Sequence, residues 1–143
     1  MLLRIAHRVR VAWWRWARPN LNGVCIIAFD DDGRVLLVRH SYGSRKWSLP
    51  GGGLGRGEDP HEGARREFRE ELQQEPGQLR LGGVVEHWLH GATSRVHVFS
   101  ARLDSVPDVD GRELIEARFF AADALPEECR KMVLHRIALL ETG

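Results

Sequence analysis

The sequence contains little cysteine, little lysine and no excess of charge of either sign. Its two cysteines, Cys25 and Cys129, form no CxxC pair and belong to no Cys/His cluster with zinc spacing. Of the 21 basic residues only Lys46 and Lys131 are lysines, and the net charge is +1. No global field therefore selects nucleic acid or an anionic surface, so we expect no DNA partner. The cysteine pattern favours two buried thiols and a reducing, cytoplasmic location.

Long apolar runs are missing from the first residues, which excludes a transmembrane helix there. Five or more arginines interrupt segment 1–18, which also lacks the apolar core and small-residue cleavage site of a signal peptide. We expect a basic amphipathic helix over 1–20, an extension that either lies on an anionic membrane surface or packs on the domain or a second subunit. Packing is favoured, because short amphipathic helices are usually stabilised by it. Its basic side holds Arg4, His7, Arg8, Arg15 and Arg18, and its apolar side holds Leu2, Ile5, Val9, Trp13 and Trp16.

The rest of the chain, 21–143, has the length and pattern of one layered α/β domain. An apolar, β-branched run, a turn reading DDDGR and a second apolar run predict a hairpin over 23–40. The Gly- and Ser-rich stretch 41–57 is predicted to be loop. Further strands are predicted at 79–90, 94–103 and 116–121, and helices at 60–73 and after Pro126.

Three glutamates crowd one face of the first predicted helix. Glu67, Glu70 and Glu71 fall at i, i+3 and i+4, where like charges repel by a few tenths of a kcal/mol per pair. An alternating ladder of Glu62, Arg66 and Glu70 would suit a solvated face, but it leaves the other two glutamates unexplained. A hard divalent cation explains them, because Mg²⁺ is usually held by a few carboxylates plus substrate phosphates. The preceding loop, LPGGGLGRGED, adds glycines that let backbone approach a ligand closely, as phosphate chemistry requires.

Residues 52–74 resemble the Nudix box, the signature of hydrolases that act on nucleoside diphosphates linked to another moiety. Gly52 is followed at the family's spacing by Glu58 and then by the run Arg66-Glu67-Phe68-Arg69-Glu70-Glu71-Leu72. The hairpin 23–40, the WSLPGGG entry and the late EARFF segment are also placed as in Nudix domains. The box departs from the pattern at Gln73, where glycine is expected, and at Gln74, where an apolar residue is expected. Since glycine usually ends this helix, we expect the helix to run slightly longer and break at Pro76-Gly77.

The resemblance implies an α/β/α sandwich with a mixed sheet between helices, and Mg²⁺-dependent attack of water on a phosphorus of a diphosphate linkage. Mn²⁺ is a possible substitute metal. The resemblance assigns Glu67, Glu70 and Glu71 as metal ligands, with Glu67 or Glu71 also orienting or deprotonating the water. Arg66 is expected to hold a box glutamate, and Glu58 to support the loop or the metal's outer shell. Gly52 and Gly53 are expected to give substrate access to the backbone.

Residues outside the box are weaker candidates. The family often adds a further carboxylate, for which Glu113, as a metal ligand, and Glu116 are candidates; for Glu86 strand pairing is the favoured interpretation. Arg39, Arg45 and Lys46 could reach substrate phosphates or be solvated loop charges. Trp47 and Trp88 could stack on a base or pack in the core. The four histidines with no metal spacing are interpreted as structural: His40, His87, His90 and His97.

Two alternatives remain from the sequence. The domain could be a non-catalytic nucleotide-binding or regulatory module, although such a module has no need of the full charged set. Residues 1–18 could attach a hydrolase to a membrane surface. The family implies a small nucleotide substrate, with oxidised nucleotides, nucleotide sugars, ADP-ribose, dinucleoside polyphosphates and capped RNA among the possibilities, and a homodimer is possible.

Overall fold

The computed structural model describes residues 22–43, 45–89, 92–109 and 114–142. Within these ranges the chain forms six strands and two α-helices. The predicted N-terminal helix, Glu113 and His90 lie outside the described residues. No helix of the described part is both long enough and apolar enough to cross a membrane. In chain order the elements are β1 (Gly23–Phe29), β2 (Val35–His40), β3 (Gly51–Gly53), α1 (Pro60–Leu72), β4 (Arg80–Leu89), β5 (Ala92–Arg102), β6 (Leu114–Phe120), a 3₁₀ turn (Ala122–Ala124) and α2 (Arg130–Thr142).

The strands form one mixed sheet in the order β4-β5-β1-β2-β6. Strands β1 and β5 run parallel, whereas the other neighbours are antiparallel. The hairpin of β1 and β2, the two long strands and the last strand confirm the predicted elements, with ends that shift by up to two residues.

A short strand in the stretch predicted to be loop corrects that prediction. Strand β3 pairs with the first half of β1, and its entry also bonds to both hairpin strands. The N–H of Ile26 donates to the Pro50 carbonyl over 2.8 Å, and Val38 and Ser48 exchange hydrogen bonds of 2.8 and 2.9 Å. The glycine segment is therefore wedged between β1 and β2 in the middle of the sheet. Three glycines carry no side-chain pattern, so only the partner strands specify this pairing.

The two faces of the sheet each bury a helix, because alternate strand residues point to opposite faces. Val24, Ile26 and Ala28 of β1 belong to the same buried cluster as Phe68 and Leu72 of α1. On the other face the apolar cluster contains Cys25 and Ile27 of β1, Leu37 of β2 and Val133 of α2, with Met132, Ile137 and Leu140 partly buried against it. The predicted α/β/α sandwich is confirmed.

Helix α1 begins as the sequence predicts and ends earlier than expected. Asp59 caps it, with Oδ2 accepting from the Glu62 N–H over 3.2 Å, and Pro60 is its first residue. The helix ends at Leu72, and the expected extension toward Pro76-Gly77 is wrong. Gln73 adopts the left-handed conformation, with φ 56° and ψ 34°, and its N–H donates to the Arg69 carbonyl over 2.9 Å. Glutamine thus takes the backbone geometry usual for glycine, at a cost of roughly 1 kcal/mol.

Candidate active site

Arg66 lies at the centre of the acidic face of α1. Its Nε and Nη2 donate to the two carboxylate oxygens of Glu58, each over 2.9 Å. Its Nη1 donates to Glu67 over 2.9 Å and to Glu70 over 3.2 Å, and Nη2 also reaches the Gly53 carbonyl at 3.0 Å. The hydrogen bonds that Arg66 donates to Glu58, together with the charges of Glu67, Glu58 and Glu70, outweigh desolvation and raise the pKa of Arg66 above its usual range. Arg66 is therefore a fixed cation that orients the glutamates, as the resemblance implies.

Arg66 contacts three carboxylates at once, those of Glu58, Glu67 and Glu70. Glu67 is 3% exposed, so its carboxylate is largely removed from solvent and depends on nearby positive charge. A divalent cation bound among the oxygens of this face would add to that stabilisation.

The Glu67 carboxylate is pressed against the glycine strand. A Cβ built on Gly52 would lie 2.6 Å from Glu67 Cδ and Oε1 and 2.8 Å from Oε2. Real Cβ atoms do not approach other atoms so closely, so this position needs glycine because of what the helix carries opposite it. The predicted role of Gly52, close approach of the backbone, is here an approach to a side chain of α1.

Glu71 is held from the sheet rather than by Arg66. Its side chain is buried, its Oε1 accepts from the Gly51 N–H over 2.9 Å, and its Oε2 lies 3.0 Å from His40 Nε2. His40 is thus a site residue that the sequence interpretation missed, because a lone histidine carries no spacing signal. Glu58 completes the loop, since its Oε1 accepts from the Gly55 N–H over 2.9 Å.

The side chains of α1 offer the type of ligand atom that a hard divalent ion binds. Glu67, Glu70 and Glu71 offer carboxylate oxygens, the ligands that Mg²⁺ takes. Across the part of the chain that is described, no three His, Cys, Asp or Glu side chains converge as a ready-made metal cage. Mg²⁺ does not require one, because it is usually held by one or two carboxylates together with substrate phosphates and water. The residues therefore fit a magnesium site that a bound phosphate group completes.

A cavity of about 510 Å³ is lined by Gly51–Gly53 and His40, and also by Lys46, Trp47 and Arg136 of α2. The glutamates of α1 do not line it. The strand that contacts Glu67 and Glu71 thus also lines the cavity. Cys25 and Cys129 lie in its wall as well, and burial raises the pKa of both thiols, so neither favours the reactive thiolate.

The remaining candidates lie away from the carboxylates. Arg39 donates to Glu116 over 2.9 Å and to the Arg45 carbonyl over 3.1 Å, at a second cavity of about 590 Å³. Trp47 is half-buried, with its ring edge-to-face on Phe120 at 5.0 Å, so it packs and lines the cavity at once. Glu86 pairs with Arg95 across the strands, as favoured, and Trp88 is 72% exposed on β4. The structure therefore does not bring Arg39, Glu116, Glu86 or Trp88 into contact with the helix carboxylates.

The family model described as the NUDIX domain matches residues 19–140. The chain belongs to the Nudix family. A MutT NUDIX hydrolase from Burkholderia pseudomallei has the same fold, with 25% identity, a TM-score of 0.69, and coverage of 82% of this chain and 98% of that one. A MutT protein from Methanosarcina mazei Go1 aligns with 26% identity and a TM-score of 0.66, covering 85% and 95% of the two chains. The mixed sheet between two helices is thus the Nudix fold.

Curated Nudix relatives match a shorter segment. An RNA pyrophosphohydrolase from Halorhodospira halophila is 40% identical over 72 residues, which is 50% of this chain and 38% of the relative. An ADP-ribose pyrophosphatase from Mycobacterium tuberculosis is 47% identical over 57 residues, which is 37% of this chain and 28% of the relative. The matched segment spans less than half the length of either relative. Both names describe hydrolysis of a diphosphate linkage, and Nudix hydrolases generally use divalent metals.

Proposed function

We propose that the protein is a Mg²⁺-dependent hydrolase that cleaves a diphosphate linkage in a nucleoside diphosphate derivative, with Mn²⁺ as a possible substitute. One observation carries the proposal. Glu67 and Glu71 contact Gly52 and Gly51, and the same glycine strand lines the cavity. The glycine strand thus lies between the acidic side chains and the cavity, and we propose that a diphosphate bound along this strand reaches the metal held by α1.

The reaction is attack of a water oxygen on one phosphorus, with cleavage of the bridging P–O bond and departure of the second phosphate as leaving group. The bound metal would neutralise phosphate charge and favour ionisation of the water. Glu67, Glu70 and Glu71 are the proposed ligands, and a carboxylate oxygen of Glu67 or Glu71 orients the water and takes its proton. Arg66 fixes Glu67 and Glu70, which limits the reorganisation needed when charge develops.

The nucleoside part of the substrate is proposed to occupy the cavity. Lys46 and Arg136 contribute positive charge there, Trp47 contributes an aromatic wall, and Gly52 and Gly53 leave the backbone accessible. Arg39 lines the second cavity instead and is engaged by Glu116, so a contact with substrate phosphate is proposed for it only there. The names of the relatives suggest an RNA and ADP-ribose as the first substrates to test.

Phosphate or nucleotide release from a panel of nucleotides in Mg²⁺ tests this proposal. The panel should hold a 5′-triphosphate RNA, ADP-ribose, nucleotide sugars and dinucleoside polyphosphates, with a chelator control. We expect turnover that the chelator abolishes and that Glu70→Gln and Glu71→Gln each lower by about a hundredfold or more, as when a key electrostatic group is removed. Near wild-type turnover in both variants would end the assignment. Binding without turnover by the wild-type protein across the panel would replace the hydrolase with a nucleotide-binding module.

We also propose a Nudix domain at 21–143, preceded by the basic amphipathic segment 1–20, and a cytoplasmic location. Two free, buried cysteines support a reducing compartment. Packing of the segment on the domain or on a second copy predicts that deletion of 1–18 changes thermal stability or oligomeric mass. Loss of co-sedimentation with anionic liposomes, without either change, would instead indicate a membrane anchor.

A further inference from the structure

Both carboxylate oxygens of Glu71 are already held by N–H groups of the sheet. Oε1 accepts from the Gly51 N–H over 2.9 Å, and Oε2 lies 3.0 Å from Nε2 of His40. Gly51 belongs to β3 and His40 is the last residue of β2, so two strands hold one helix side chain. Glu71 as a whole is 9% exposed, which leaves little water to compete with these contacts.

His40 is held in turn by its own surroundings. The residue two places before it, Val38, is fully buried and exchanges two backbone hydrogen bonds with Ser48. The ring is partly buried and lies tilted against Tyr42, with ring centroids 5.4 Å apart. An ionised carboxylate only accepts hydrogen bonds, so pairing with it selects the His40 form in which Nε2 carries the hydrogen. In that form the histidine donates to Glu71 from the end of β2.

Glu71 differs in this respect from its neighbours on α1. Glu67 and Glu70 contact the guanidinium of Arg66, a full positive charge. Glu71 is instead held by the Gly51 N–H and the His40 ring, both from the sheet. Donors that orient a ligand oxygen while leaving its charge available are typical partners of metal-binding carboxylates, and their loss commonly costs 10- to 100-fold in metal affinity or activity.

We propose that His40, which lies outside the Nudix box, is a positioning residue that aims the Glu71 carboxylate at the divalent ion. The inference rests on the proposed function, because it takes Glu71 as a metal ligand. His40 is not a catalytic residue on this account, since it acts through Glu71. Replacement of His40 therefore tests the contact between β2 and the Glu71 side chain of α1. His40 also lines the cavity.

Mn²⁺ binding in the absence of substrate, followed by the EPR signal of the free ion, tests the proposal apart from turnover. We expect His40→Leu to weaken Mn²⁺ binding about tenfold. His40→Gln should retain most of the affinity, because its amide nitrogen can reach the position of Nε2, whereas the shorter His40→Asn should not. His87→Leu, at an exposed histidine of β4, is the matched control and should bind as the wild type does. In turnover assays His40→Leu should lower kcat and raise the Mn²⁺ concentration needed for half-maximal turnover, and His40→Gln should restore both.

Two results would overturn the inference. One is wild-type Mn²⁺ affinity in His40→Leu while Glu71→Gln binds weakly, which would spare the proposed function and remove the role of His40. The other is equal loss in the Gln and Asn variants with thermal unfolding unchanged, which would show that the donor is irrelevant. Unaltered Mn²⁺ binding in Glu71→Gln would remove the metal assignment, and the inference with it. Comparison of the Gln and Asn variants remains decisive if His40→Leu does not fold.

Discussion

At the scale of single residues, the site is a set of contacts between one helix and one glycine strand. The spacing of the box predicted the participants from α1, Arg66 with Glu67, Glu70 and Glu71, because neighbours on a helix follow from sequence separation alone. His40 could not be predicted, since it meets Glu71 across 31 residues and only the folded sheet brings them together. Arg39 was a reasonable phosphate ligand on charge, but its partner Glu116 comes from a strand 77 residues away.

Gly52→Ala tests the contact between strand and helix. The added methyl would lie 2.6 Å from the Glu67 carboxylate, which is buried and must move. We expect turnover to fall by about a hundredfold, as when a catalytic group is misplaced by about 1 Å. Gly77→Ala is the matched control, because a Cβ there meets no atom within 4 Å. Wild-type rates in Gly52→Ala, with the protein folded, would show that Glu67 need not stay where the structure has it.

At the scale of elements, the residues around α1 predicted where the helix begins better than where it ends. Asp59 and Pro60 specify the first turn of α1 by their own side chains. The prediction for the end of α1 was wrong because Gln73 was expected to avoid the left-handed conformation. The buried side chain of Leu72 is consistent with packing setting the end of the helix against this preference. Strand β3 was not predicted because its glycines carry no side-chain pattern and pair through backbone alone.

Gln73→Gly should stabilise the protein. Glycine adopts positive φ without steric cost, and this gain exceeds the extra entropy of the unfolded chain, so we expect the free energy of unfolding to rise by up to about 1 kcal/mol. Urea unfolding measures the change, and Gln74→Gly, at a position without positive φ, should give no gain. A loss of stability in Gln73→Gly would mean that the side chain of Gln73 contributes more than its backbone strain removes.

At the scale of the whole molecule, the sheet holds the cavity and the acidic helix in one unit. The resemblance predicted the three layers, but the wedge of β3 between β1 and β2 and the parallel pairing of β1 with β5 depend on strand order, which no local pattern specifies. This wedge puts Gly51–Gly53 against α1 on one side and in the cavity wall on the other. The glycine strand therefore links the cavity to the acidic side chains of α1.

The anomalous scattering of Mn²⁺ in crystals grown with the ion tests this account most directly. We predict a peak at the acidic edge of α1, about 2.1 Å from carboxylate oxygens that include Glu67, Glu70 or Glu71. Glu70→Gln and Glu71→Gln crystals should show reduced occupancy. An edge free of Mn²⁺ in the wild-type crystal, with those oxygens turned to solvent, would contradict the account.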